Sequence, residues 1–257
     1  MNEIIITPLG TVSPYSKESH NCPGFLIEYQ EEKVLLDCGN GITRLLNFPK
    51  DLQNLHIIIT QYHNDHFGDL SSLQYASLVY HNLGLLNKKI KIYLPKEEFR
   101  KMKEGIKSIK ETYSEYYDIR ENQKYHIKDL TITFENNHSH SIPSYMVKIE
   151  NKKLKIVYTS DIGVTNKKGL IEFCMNADLI ICESSFLRKH ESSSTTHFTA
   201  FEAGLLAKQA KANSLLLTHF WPEENRNLYL EEARINFENT HIAEENQRLV
   251  LRKGKLK

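Results

Sequence analysis

The chain has 257 residues, of which 40% are hydrophobic and 25% charged, with a formal net charge of +1. That length and balance describe a globular chain with one large core, or at most two small domains. They give no bulk attraction to nucleic acid or membrane, although a neutral total still leaves room for a local patch. No stretch approaches the roughly 20 apolar residues of a spanning helix, and Met1 to Pro8 lacks the basic start and apolar core of an export signal. Cys22, Cys38, Cys174 and Cys182 form no C-x-x-C pair. They read as reduced thiols of a cytoplasmic protein.

In chain order, short apolar or β-branched runs predict strands at Glu3–Thr7, Gly24–Tyr29, Lys33–Leu36, His56–Thr60 and Lys91–Leu94. Further strands follow at Leu130–Phe134, Tyr145–Ile149, Leu154–Thr159, Asp178–Cys182 and Ser214–Thr218. Three- and four-residue apolar spacing predicts helices at Gly68–Tyr80, Lys96–Ile109, Lys167–Met175, Thr199–Ala210 and Asn225–Phe237. Lys88 to Ile127 reads as helical and mixed in charge, its Lys96–Glu111 run as a solvated helix face. Near the end, Arg248–Leu251 is a candidate edge strand. Early strands arrive in hairpin-like clusters and later ones alternate with helices, which fits two packed sheets with helices outside. No linker or repeat divides the chain, so residues 1–257 are expected to form one domain.

Twelve histidines are present, and several follow strand ends. After the strand ending at Thr60 comes Gln61-Tyr62-His63-Asn64-Asp65-His66, with three potential metal ligands within four residues. Imidazole and carboxylate so close to a rigid strand suit zinc, iron or manganese, against the alternative of a solvated polar loop. His140 precedes a strand; Asp161 and His219 each follow one. Taken alone, Asp161 reads first as a turn former or helix cap, and His219 as either a ligand or a satisfied histidine. Together these residues form a pattern in which successive strand ends deliver His or Asp to one rim. His20 lies in a loop able to reach that rim. His138 competes with His140, which stands nearer the Tyr145 strand. The remaining histidines read as structural or exposed, and Cys38 and Cys182 as buried small hydrophobes.

These motifs resemble those of the metallo-β-lactamase superfamily. Thr60-Gln61-Tyr62-His63-Asn64-Asp65-His66 looks like its H-x-H-x-D-H signature, and Leu35 to Gly41 like its early D-x-G turn. Tyr158 to Gly163 resembles its bridging-aspartate motif, and Leu217-Thr218-His219 its last-histidine motif. His197 to Gly204 is similar to the H-x-T-x-x-E-A segment of the ribonuclease Z-like branch. The resemblance implies an α/β four-layer αββα sandwich with metals at one edge. By that carry-over His63, His140 and Asp161 bind a first ion, while Asp65, His66, Asp161 and His219 bind a second, Asp161 bridging. The expected ions are one or two zincs, with manganese as the alternative. A metal-activated hydroxide would be the nucleophile. Asp65 would orient that water as well as bind metal. His197 is the candidate for protonating the leaving group, against the plainer role of capping the helix that follows it. Glu183 would support His197.

Gln61 departs from the pattern, standing where the signature has its first histidine. A neutral amide oxygen is the poorer zinc donor, so the first site is expected to be weaker or to favour a harder ion. Two unequal ions, one ion in the second site, and loss of catalysis are the three readings this leaves. On the substrate side, the branch features point to a phosphodiesterase acting on a nucleotide or short nucleic acid. RNA is not favoured, because the Gly/Pro-rich arm of tRNA-processing members is not evident. The alternatives are a lactone or thioester hydrolase on the same site, or a degenerate metal- or ligand-binding module. A membrane partner is not expected, and a homodimer is compatible with the sequence.

Overall fold

The structure is a computed structural model that describes residues 3–96, 113–163, 167–193, 196–252 and 254–257. Its strands are β1 (Glu3–Gly10), β2 (Gly24–Tyr29), β3 (Glu32–Leu36), β4 (Leu55–Ile58), β5 (Ile90–Pro95), β6 (Ser114–Ile119), β7 (Lys124–Ile127) and β8 (Leu130–Asn136). They continue with β9 (Tyr145–Glu150), β10 (Lys155–Tyr158), β11 (Leu179–Glu183), β12 (Leu215–Thr218), β13 (Thr240–Ile242), β14 (Leu249–Arg252) and β15 (Lys255–Leu256). One sheet has eight strands in the order β15-β14-β1-β2-β3-β4-β5-β6. The other has seven, ordered β13-β12-β11-β10-β9-β8-β7.

Between the sheets lies an apolar layer that includes Ile4, Ile6, Phe25, Leu36 and Ile58 from the first and Phe134, Val147, Tyr158 and Ile181 from the second. Outside the second sheet pack α3 (Lys167–Cys174), α4 (Ala200–Gln209) and α5 (Arg226–Arg234). On the first sheet's outer face, Leu70 and Leu73 of α2 (Leu70–Asn82) pack against Leu35, Ile57 and Ile92. This is the expected αββα order, and it explains the near-continuous apolar runs in β4, β11 and β12, which are buried on both faces. Gly204 permits the close crossing of α4 and α5: a Cβ there would lie 2.3 Å from the Ala233 carbonyl oxygen.

Strand direction sets the location of the chemistry. β3 to β6 run parallel, as do β10 to β13. β1 runs the same way as β3, because both are antiparallel to β2. β9 is antiparallel to β10, so its beginning adjoins the end of β10. The C-terminal ends of β1, β3, β4, β10, β11 and β12 and the start of β9 therefore share one rim. Backbone hydrogen bonds cross between the sheets there, among them Tyr145 N to the Thr60 carbonyl (3.1 Å), Phe220 N to that of Thr11 (2.9 Å) and Ser13 N to that of Phe220 (3.0 Å).

Two expectations are corrected. Lys88 to Ile127 is not helical throughout, because β6 and β7 are strands. In β6, Tyr116 and Tyr117 sit among Glu115 and Asp118 at a sheet edge, where one polar face stays exposed and conceals the apolar signal. The predicted helix at Lys96–Ile109 lies, beyond Lys96, outside the described residues. The strand expected at Arg248–Leu251 exists as β14, but it is flanked by β1 and β15 and is not the edge. β13, only three residues long, carries too little pattern to be read alone.

Candidate metal centre

Thr60 follows β4 by two residues, and the chain then turns into α1 (Asn64–Phe67), a single turn that buries Asp65 and His66. Asp37, at the end of β3, holds this turn. It is fully buried and accepts hydrogen bonds from Thr60 N (2.8 Å), Thr60 Oγ1 (2.9 Å), the Tyr158 hydroxyl (2.8 Å) and His66 Nδ1 (2.8 Å). A carboxylate can only accept, so His66 Nδ1 carries a proton and Nε2 is turned inward. Gly39 is required two residues later, because a Cβ there would lie 2.2 Å from the Asp65 carbonyl oxygen.

His219 is oriented by a second relay. The Ser185 hydroxyl donates to Glu183 Oε2 (2.6 Å) and therefore accepts from His219 Nδ1 (2.8 Å). His219 Nε2 thus also faces inward. It lies 2.8 Å from Asp161 Oδ1 and 3.6 Å from Asp65 Oδ2. His66 Nε2 is 3.2 Å from the same Asp161 oxygen and 3.6 Å from Asp65 Oδ2. Ser13 donates to Asp65 Oδ2 at 2.7 Å. His140 Nε2 approaches Asp161 Oδ2 to 3.8 Å, while His138 is exposed. His219 and Ser160 hold left-handed backbone, φ 62 and 54, a conformation costing about 1 kcal/mol for such residues. Both stand at the tight turns after β12 and β10, where the rim side chains are aimed.

The remaining candidates are placed as follows. His63 packs edge-on against His140, ring centroids 5.0 Å apart, but does not join the tight groupings of donor atoms. Those are Asp65–His66–His219, His140–Asp161–His197 and Glu183–His197–His219, each with its atoms within 4.8 Å of one another. His197 Nδ1 lies 3.0 Å from Glu183 Oε1. Helix α4 is capped by Thr199, whose hydroxyl accepts from Glu202 N while the Glu202 carboxylate accepts from Thr199 N. The plain capping role considered for His197 therefore belongs to Thr199, and Glu202 of the H-x-T-x-x-E-A segment closes the same box. His20 sits by Glu245, 3.7 Å away. Gln61 is fully buried and its Nε2 donates to Asp161 Oδ2 at 2.5 Å.

The unmet hydrogen bonds of the donor set fit a divalent cation. Buried His66 Nε2, His140 Nε2, His219 Nε2, Asp161 Oδ1 and Gln61 Oε1 have no hydrogen-bond partner. The His219–Asp161 approach is short yet misaligned for a hydrogen bond, so distance and geometry disagree there. Lone pairs that converge without a proton between them suit a shared cation. Electrostatics agree. Burial opposes charge on His66, but Asp161, Asp37 and Asp65 push it well above the usual imidazole range. Against the same burial, Asp161 raises His219 to about 10. Asp161 itself is held well below the carboxylate range by His219 and His66, despite its burial. These carboxylates demand compensating positive charge at the rim. His63 and His140 shift downward, chiefly through burial. His197 shifts upward because Glu183 outweighs burial.

Asp37, Ser13 and Ser185 were not singled out as functional in the sequence. Asp37 was legible in the D-x-G turn; the two serines carry no motif. All four cysteines are unpaired and buried, and no helix among the described residues is long and apolar enough to cross a membrane.

A two-sheet sandwich with a rim of imidazoles and carboxylates defines a class, and comparison with known proteins agrees. The chain belongs to the Beta-lactamase superfamily domain family, matched over residues 32–220. Among individual relatives, it is 28% identical over 218 residues to the "Probable metallo-hydrolase YhfI" of Bacillus subtilis, spanning 83% of this chain and 86% of that one. It is 25% identical over 290 residues to the ribonuclease Z of Protochlamydia amoebophila, covering 93% and 94% respectively. The crystal structure of the metallo-beta-lactamase fold protein YhfI superposes with a TM-score of 0.88 at 26% identity, over 97% of this chain and 100% of that one. Human tRNase Z, short form, superposes with a TM-score of 0.74 at 22% identity over 97% and 99%, a likeness of fold.

Proposed function

We propose that this protein is a metal-dependent hydrolase of phosphodiesters in nucleotides or short nucleic acids, acting in the cytoplasm. The observation that carries the metal dependence is the convergence of unpartnered buried nitrogen and oxygen atoms around Asp161. The phosphodiester class is supported by the ribonuclease Z relatives, and the cytoplasmic placement by the four free thiols. Asp65, His66, His219 and Asp161 would hold one ion. His63, His140 and Asp161 would hold a second, less firmly because Gln61 replaces an imidazole. Zinc suits the first set, and manganese is the harder alternative for the second.

Such ions supply Lewis-acid polarisation and lower the pKa of water from near 16 to about 7. The protein's own groups do the rest. Asp65, steadied by Ser13, orients the attacking water. His197, kept protonated by Glu183, donates a proton to the leaving oxygen. Asp37 and the Ser185–Glu183 pair fix the inward-facing nitrogens of His66 and His219.

The test is turnover of bis(p-nitrophenyl) phosphate, a monoester, a lactone and a thioester by zinc- or manganese-loaded protein. Phosphodiester turnover is expected, abolished by chelation and by Asp161→Ala. Turnover confined to the lactone or thioester would replace the phosphodiester reading, and metal binding without turnover of any of the four would make the chain a binding module.

A further inference from the structure

A cavity of about 310 Å³ opens beside the cluster. It shares Ser185, His197 and His219 with the cluster and is completed by Pro14, Phe186 and Trp221. A larger cleft of about 390 Å³, lined by Glu32, His56 and Lys88 among others, lies at the opposite strand ends, away from the cluster. Of these two, the first has His197 and His219 in its wall.

The walls of this cavity are aromatic and braced. The Phe186 and Trp221 rings meet at 71° with centroids 6.2 Å apart. The His190 ring stands edge-on to both, 5.9 Å from Phe186 and 5.5 Å from Trp221. Backbone bonds fix the wall positions: Ala200 N donates to the Phe186 carbonyl (2.9 Å), and Ser13 N to that of Phe220, next to Trp221 (3.0 Å). Neither Phe186, Trp221 nor Pro14 brings a charge. A preset aromatic corner holds a flat, neutral ring by stacking and discriminates little between ring types. Its neighbour is a cluster whose imidazoles and carboxylates, once they hold cations, would meet a phosphate. Flat ring and anion at adjoining positions are the two ends of a nucleotide.

We infer that Trp221 and Phe186 form a nucleobase subsite, which stacks the base of the nucleotide whose phosphate lies at the Asp161 cluster. The inference rests on the phosphodiesterase reading and narrows it to nucleoside phosphodiesters over those of aliphatic alcohols.

Trp221 is the only tryptophan in the chain, so its fluorescence reports on the subsite directly. Metal-loaded protein is titrated with AMP and with ribose 5-phosphate, and calorimetry repeats both titrations on Trp221→Leu and Phe186→Leu. AMP is expected to change the fluorescence and to bind about tenfold tighter than ribose 5-phosphate, an advantage that collapses in the leucine variants. Equal affinity for the two probes, no affinity for AMP, or an adenine advantage surviving in both variants would overturn the subsite. The wild-type comparison decides even if a variant does not fold. Phosphodiester turnover reads separately: its absence alongside base-dependent binding removes the phosphodiesterase reading and leaves the subsite standing.

Discussion

His56 lies in β4 and His66 in α1 just beyond it, ten positions on; both are buried and beside a carboxylate, and they shift in opposite directions. His56, near the start of β4, contacts the Tyr93 hydroxyl (3.1 Å) and Glu32 (3.3 Å). Burial, helped by Lys91, pushes it down to about 4 against the pull of Glu32. His66 is buried at least as deeply, but three aspartates surround it and reverse the sign. One half-compensated carboxylate does not overcome desolvation, whereas three do. Burial therefore marks neither histidine as functional. The number of carboxylates around the ring separates the two.

The contrast can be broken most directly by removing the cation from the rim. In metal-free protein the raised pKa of His219 means that the folded state holds a proton the unfolded state has lost between about pH 6.5 and 10. Stability from that proton is complete below 6.5 and disappears as pH rises through the folded value. We expect a fall on the order of 3–5 kcal/mol across that window in denaturant titrations, and a much flatter profile after metal loading. An equally steep fall in both forms would remove the competition between proton and cation.

Asp37 sharpens the comparison at the same end. Asp37→Asn removes one carboxylate from around His66 and places an amide where its Nδ1 proton was fixed. Metal affinity, measured by competition with a chromophoric chelator, is expected to fall about 10–100-fold. Gln61→His frees Asp161 Oδ2 from the amide and adds an imidazole. Elemental analysis is expected to show more metal per chain, with the weaker site tightened by about tenfold as a soft donor replaces an amide. Unchanged content would mean that residue 61 does not address the ion. The smallest effect falls at His56, within β4. His56 must be neutral in the folded state, so its contribution is lost as pH falls from about 6.5 toward 4. His56→Gln should flatten that acid limb by on the order of 1–2 kcal/mol, leaving metal content unchanged.

The comparison also explains which site residues could be read in advance. His63, Asp65 and His66 follow a strand so closely that chain geometry alone groups them, and Asp161 and His219 repeat the strand-then-ligand order. Ser185 looked like any loop serine. Its role comes from standing two residues beyond Glu183, where β11 ends beside β12 and His219. His197 was visible through its segment, but only its contact with Glu183 separated it from the cap, which Thr199 supplies. Gln61 could be recognised as a departure; that its amide nitrogen holds Asp161 could not.

What the residues determined alone was local: the apolar periods that make buried strands and helices, the capping box at Thr199, and the turns that place ligands just after strands. Parallel pairing of β10 with β11 and of β11 with β12, the antiparallel entry of β9, and the facing of two sheets brought those turns to one rim. Such pairings join segments whose side-chain patterns do not name their partners, and the facing of the sheets joins residues as distant in the chain as Thr11 and Phe220. The balance of charge that sets His66 against His56 likewise exists only after folding, because it sums over groups from both sheets in a water-poor space.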